Sequence, residues 1–194
     1  MELNEKTINR TDIYNGRIIK VHVDDIELCD GKPAKREVVE HPGGVCVAAV
    51  TPKNELLFVR QFRYPYKEVV LELPAGKLEP GEDVFEAVVR ELKEETGSVG
   101  RDWKFCGNLY PSPGYTNEII RLWFCYVDEV GTELDLDEDE FLTVEAIPIE
   151  KAVRMVMDNE IVDAKTQTLV SRQRNFSKNN RYNFIHFPIK KRHC

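Results

Sequence analysis

The chain has 194 residues, 42% of them apolar and 31% charged, which suits one main globular domain with at most a small appendage. No run approaches the roughly 20 apolar residues that span a bilayer, and the opening segment MELNEKTINR lacks the apolar stretch of a secretory signal, so a cytoplasmic rather than a membrane or exported protein is expected. The net charge of −7 is unevenly spread: residues 171–194 hold seven Lys or Arg and no Asp or Glu, leaving 20 basic against 34 acidic side chains, or −14, in the first 170, and an acidic body does not suit a nucleic-acid backbone.

In chain order, residues 17–28 (RIIKVHVDDIEL) alternate apolar and polar with one slip at Asp24-Asp25, the pattern of a strand interrupted by a bulge. DGK at 30–32 offers a turn and AKREVVEH reads as the return strand, which makes residues 1–42 an amino-terminal antiparallel unit. GGVCVAAV (43–50) and ELLFVRQFR (55–63), joined by the turn TPKN, read as strands of a more buried sheet. Residues 82–96 have helical periodicity; WKFCGNLY, EIIRLWFCYV and FLTVEAIP read as strands, and IEKAVRMVMDNE and DAKTQTLVSRQ as closing helices of a domain over 43–175. This mixture predicts a layered α/β domain. Residues 176–194 remain as a basic tail, where aromatics among the bases would suit RNA but a solvated terminus is the plainer reading. Cys29, Cys46, Cys106, Cys125 and Cys194 are odd in number and include no C-x-x-C pair, so reduced thiols are expected rather than a zinc site or a disulfide frame.

The helical segment carries the chemistry. Started at Glu82, it lines up Phe85, Val88, Val89 and Leu92 as a core stripe. Glu91, Glu94 and Glu95 gather on an arc turned away from that stripe, with Arg90 beside Glu86 to offset part of their charge. An acidic arc by itself is ordinary solvated surface. The approach to it is less ordinary: LPAGKLEPGED (73–83) supplies Gly76 and a Pro80-Gly81 turn, then brings Glu82 and Asp83 to the helix amino terminus, where the macrodipole favours acids. Gly97 suits a left-handed stop. Loop carbonyls beside the acidic arc would converge several hard oxygens, the donor set of Mg²⁺ or Mn²⁺.

GKLEPGEDVFEAVVRELKEETGS, residues 76–98, resembles the Nudix hydrolase signature G-x5-E-x7-R-E-U-x-E-E-x-G-U, U being a bulky apolar residue. Gly76, Glu82, Arg90, Glu91, Leu92, Glu94, Glu95 and Gly97 match in register, while Ser98 stands at the final apolar position, which weakens the helix–core contact. SPGYTNE (112–118), QFR before the signature and KRE near the amino terminus are similar to the ADP-ribose pyrophosphatase branch, and the resemblance covers most of residues 10–170.

The resemblance implies an α/β/α sandwich with a mixed sheet, a homodimer that exchanges its amino-terminal strands, and metal-dependent hydrolysis of ADP-ribose to AMP and ribose 5-phosphate. It implies that Glu91, Glu94, Glu95 and the Ala75 carbonyl hold metal. Arg90 and Glu82 then orient these groups, and Arg36, Arg63, Ser112, Pro113, Gly114 and Glu118 bind substrate. Glu138 is the implied catalytic carboxylate of the segment LDEDEF, with Glu140 second and Glu94 sharing the work.

Plainer readings stand beside these. The run from Glu133 to Glu140 is otherwise a solvated loop, Arg36 a strand charge, Ser112-Pro113-Gly114 a rigid turn, and Trp103 and Trp123 core residues. Gly16 is followed by Arg17 and Ile18 where the branch often carries an aromatic, which leaves open how the base is stacked. The signature handles a diphosphate and specifies neither end, so another nucleoside diphosphate sugar such as GDP-mannose, or a non-catalytic ADP-ribose-binding regulator, remain alternatives.

Overall fold

The computed structural model describes residues 3–136 and 141–178. Strands β1 (Lys6–Asn15), β2 (Lys20–Glu27) and β3 (Pro33–Glu40) form an antiparallel sheet in that order. A second, mixed sheet follows, built from β4 (Gly44–Val50), β5 (Glu55–Arg63), β6 (Glu68–Glu72), β7 (Ala75–Lys77), β8 (Gly100–Leu109), β9 (Ile120–Val127) and β10 (Leu142–Pro148). Its path runs β10-β5-β4-β9-β8, with β6 on β5 and β7 on β4.

β4 is buried at all seven positions because both of its faces are covered. Cys46, Ala48 and Val50 pack towards α2 (Ile149–Met157) and α3 (Ala164–Lys178) with Ala152, Ile161 and Leu169. Val45, Val47 and Ala49 pack towards α1 (Val84–Thr96) with Ala87, Val88 and Leu92. The result is the expected α/β/α sandwich. Trp123 is buried in the α1 layer, and Phe85 meets both Trp103 and Trp123 with ring centroids 5.6 and 5.4 Å apart, so both indoles belong to packing.

One irregularity positions the site. β4 runs parallel to β9 along its whole length, but meets β5 only at Val50↔Leu56. The two strands then part, and β7 takes the vacated edge of β4 through Gly44↔Lys77, Val45↔Gly76 and Cys46↔Ala75.

The amino-terminal sheet corrects the expected bulge. β2 pairs with β3 without interruption from Lys20↔Glu40 to Glu27↔Pro33, through Asp24 and Asp25. The period of two never slips, because the buried face carries His22, Asp24 and Ile26. Asp24 is tolerated there because His22 Nδ1 lies 2.9 Å and Arg10 Nε 3.2 Å from its Oδ1. The bulges fall instead on β1, where the register skips between Thr7 and Asn9 and between Asp12 and Tyr14. The cysteines are free among the described residues, Cys46 and Cys125 being buried. None of the described helices is long and apolar enough to cross a membrane.

Candidate active site

Asp83, not Glu82, starts α1: its Oδ1 accepts hydrogen bonds from the backbone N–H groups of Phe85 (2.8 Å) and Glu86 (3.2 Å). An N-cap of this kind contributes about 1 kcal/mol. Gly97 ends the helix at φ +64°, donating to the Lys93 carbonyl at 2.8 Å. The buried face is Ala87, Val88, Glu91, Leu92, Glu95 and Thr96, whereas Val89 is exposed. The glutamate arc is therefore not turned to solvent as expected. Glu91 is 8% and Glu95 1% exposed, because this flank of the helix lies against the inserted strand β7.

That strand supplies the carboxylates with backbone. Glu95 Oε2 accepts the Ala75 N–H at 2.9 Å. The Glu91 carboxylate lies over Gly76 so closely that a methyl group on Gly76 would overlap it. The glycine of the signature is required here by close approach and not by its backbone angles.

Arg90 gathers the remaining charge. Its Nε and Nη2 donate to Glu82 at 2.8 and 3.1 Å, while Nη1 lies 2.7 Å from Glu94 Oε2 and 2.9 Å from Glu91 Oε1. The expected partner Glu86 is replaced by Glu82, which precedes the cap and folds back beside the helix because its other oxygen contact is the Glu79 N–H across the Pro80-Gly81 turn. The hydrogen bond to Glu82, and then the charges of Glu91 and Glu94, raise the Arg90 pKa above its ordinary value. The same bond holds Glu82 below the usual carboxylate range. Among the described residues, no three carboxylate, imidazole or thiol groups stand grouped to hold an ion as they are arranged: Glu91 and Glu94 are both drawn to Arg90, and Glu95 to the Ala75 N–H.

Ser98 does more than its departure from the signature suggested. It is 2% exposed, its hydroxyl donates to the Thr96 carbonyl at 3.3 Å, and it accepts the Gly131 N–H at 3.1 Å. Asp135 N–H donates to the Glu94 carbonyl at 3.0 Å. Gly97 and Gly131 touch backbone to backbone, leaving no room for a side chain on either. The final signature position thus fastens the acidic loop to the end of α1 instead of loosening the helix. Glu138 and Glu140 lie outside the described residues.

The substrate-side candidates fall into two groups. Arg63 forms a bidentate pair with buried Glu72, Nε donating at 2.6 Å and Nη2 at 2.8 Å, three residues before Ala75. Arg36 makes its contacts within the amino-terminal sheet, to Glu5 and the Lys35 carbonyl. Ser112, Pro113 and Gly114 form a turn in which the Ser112 carbonyl accepts from Tyr115 and Thr116. The chain beyond is stitched to the end of β3: Val39 N–H donates to the Tyr115 carbonyl (2.7 Å), Asn117 N–H to the Val39 carbonyl (3.2 Å) and His41 N–H to Asn117 Oδ1 (2.9 Å). Glu118 Oε1 lies 3.5 Å from His41 Nδ1.

Sequence reasoning missed Glu72 and the cluster around it. A lone carboxylate inside the apolar run VVLEL was the available clue, since a buried acid needs a cationic partner.

A family model described as the NUDIX domain matches residues 40–169, and one described as the nucleoside diphosphate sugar hydrolase N-terminal domain matches residues 5–39. The ADP-ribose pyrophosphatase of Bacillus subtilis strain 168 is 42% identical over 165 residues, covering 84% of this chain and 89% of that protein. The methanol dehydrogenase activator of Bacillus methanolicus is 40% identical over 163 residues, covering 84% and 88%. A solved ADP compounds hydrolase superposes with a TM-score of 0.79 at 23% identity, over 92% of this chain and 97% of that one, which shows a shared fold. With the signature glutamates, their arginine and their glycine assembled on one helix flank beneath that fold, this chain belongs to the Nudix family of pyrophosphohydrolases.

Proposed function

We propose that the chain hydrolyses the diphosphate bond of ADP-ribose, with water, to AMP and ribose 5-phosphate. The observation that carries this reading is that Glu91, Glu94 and Glu95 share one flank of α1, two of them against the backbone of β7, in a chain 42% identical to an ADP-ribose pyrophosphatase.

The donor set fits a divalent cation. Glu91, Glu94, Glu95 and the Ala75 carbonyl are hard oxygen donors suited to Mg²⁺ or Mn²⁺, and Gly76 leaves the space that the Glu91 carboxylate fills. Bound there, such a cation supplies charge neutralisation for the diphosphate and lowers the pKa of an attacking water. Arg90 and Glu82 hold the carboxylates in place from outside, as orienting partners do. Arg63 and Arg36 grip phosphate, and the turn at Ser112, Pro113 and Gly114 with Glu118 shapes the wall for the sugar. Glu138 takes the proton from water as its oxygen attacks phosphorus, with Glu140 as second carboxylate, and the bridging P–O bond breaks with its electrons on the departing phosphate. The amino-terminal sheet, whose β1 is exposed at all ten positions, serves strand exchange in a homodimer.

A substrate panel tests the reading. Release of AMP from ADP-ribose with kcat/KM at least about tenfold above GDP-mannose and other sugar nucleotides supports it, and a reversed order moves the assignment to another nucleoside diphosphate sugar. The relative named as a methanol dehydrogenase activator favours a second reading, a regulator that binds ADP-ribose and acts on a partner enzyme. Binding without turnover of any diphosphate by the metal-loaded protein would establish that alternative.

A further inference from the structure

The charged cluster behind Arg63 lies outside the signature. Glu72 ends β6 with its side chain 3% exposed, yet two cations reach it: Arg63 through Nε and Nη2, and the Lys165 ammonium at Oε2. Lys165 is itself buried and lies 3.0 Å from Asp163 Oδ1. The other Asp163 oxygen accepts from the backbone N–H (2.9 Å) and hydroxyl (2.6 Å) of Thr166 at the start of α3, and Thr166 Oγ1 accepts the Leu73 N–H at 2.9 Å. The four charges balance, and Arg63 alone, with its side chain 38% exposed, reaches outward from the cluster.

Two features make this more than a buried ion pair. An Arg63–Glu72 pair alone would cancel the guanidinium charge and weaken its attraction for an anion. Lys165 supplies a second cation to the same carboxylate and is itself shared with Asp163, whose other oxygen caps α3, so the Glu72 charge is divided between two cations and does not fall wholly on the exposed guanidinium. The bidentate geometry also uses the Nε–Nη2 edge, which directs the Nη1 edge away from Glu72. Only Leu73 and Pro74 separate Glu72 from Ala75, whose N–H binds Glu95, and the span from Glu72 to Ala75 is at most about 11 Å. The guanidinium is therefore registered to the same short segment that underlies the signature carboxylates.

We propose that Glu72 is a positioning residue that holds Arg63 aimed at a phosphate of the bound nucleoside diphosphate sugar, with Lys165 as the second cation that preserves the anion affinity of that arginine. The proposal rests on the reading of Arg63 as a phosphate contact. Burial by itself would raise the Glu72 pKa, but Arg63 and Lys165 outweigh it and hold the group below its ordinary range, so it is a carboxylate at neutral pH.

Steady-state kinetics of Glu72→Gln, Arg63→Lys and the double variant, on whichever substrate the wild type turns over best, test it together with melting temperatures. The expected result is a KM raised about tenfold or more in each single variant with kcat changed less, and a double variant no worse than Arg63→Lys alone. Glu72→Asp keeps the charge, retracts the carboxylate by one methylene and guards against misfolding of Glu72→Gln; its KM should also rise, with a melting temperature close to that of the wild type. Unchanged KM in the folded Glu72 variants, or losses that multiply in the double variant, overturns the proposal and leaves Glu72 structural. Calorimetric binding of AMP gives a readout independent of turnover: weaker binding by Glu72→Asp supports the proposal and unchanged binding counts against it. A wild type that hydrolyses no diphosphate would defeat the proposed function without touching that comparison.

Discussion

Glu95 Oε2 accepts the backbone N–H of Ala75 at 2.9 Å, so a signature carboxylate is also the hydrogen-bond partner of a half-buried strand amide. The two roles separate by substitution. Glu95→Gln keeps an acceptor for Ala75 and removes the charge, and kcat should fall at least about 100-fold with a small change in melting temperature. Glu95→Ala also orphans the amide and should lose a further ~1–3 kcal/mol of stability. Turnover and thermal melts of the two variants check this, and unaltered kcat in Glu95→Gln would remove the residue from the chemistry.

Gly76→Ala should act on the site more than on the fold. The added methyl group meets the Glu91 carboxylate, a side chain able to rotate away, and not backbone. A displacement of this size should reduce kcat/KM by about 100-fold while circular dichroism stays native. Full activity would mean that the Glu91 position is not needed.

Under the proposed function, Arg90 and a divalent cation would answer the same repulsion, which makes their effects interdependent. Arg90→Gln leaves Glu82, Glu91 and Glu94 without their shared cation, and the melting temperature in EDTA should fall by several degrees. Millimolar Mg²⁺ or Mn²⁺ should raise the variant's melting temperature more than the wild type's, because ligand binding to the native state stabilises by mass action. EDTA should stop hydrolysis by the wild type, and added Mg²⁺ should restore it. Equal metal-induced shifts in both proteins would show that the ion binds elsewhere.

Acid stability has a definite sign. Burial alone would push Glu72 up, yet its cationic partners hold it below its ordinary value of 4.5, and Arg90 does the same for Glu82. A carboxylate depressed in the folded state contributes stability that is present above 4.5 and lost as pH falls through the folded value. The melting temperature should therefore be flat near neutrality and decline below pH 4.5. Glu72→Gln should start lower and decline less steeply over the same window. An identical slope in the variant would place the acid-labile group elsewhere.

The helix that carries the candidate site was legible because its acidic start and its left-handed stop at Gly97 leave local marks, whereas Gly76 entered through the resemblance to the signature and its place under the Glu91 carboxylate is seen only in the structure. The choice of partner for Arg90 was not legible, because Glu82 lies outside the helix and its return depends on the turn at Pro80-Gly81. Nor was the burial of Glu91 and Glu95, which depends on a three-residue strand with too short a pattern to read. β1 was invisible for the opposite reason: with all ten residues exposed, no alternation is imposed on its sequence. Asp24 misled by standing in a buried register that is usually apolar, where it is held by partners 2 and 14 residues away.

The parting of β4 from β5 after one rung has a corollary. Ala75, Gly76 and Lys77 close an otherwise bare sheet margin, and the backbone of the first two also meets Glu95 and Glu91, so under the proposed function a change in this segment would be felt twice, through folding and through turnover.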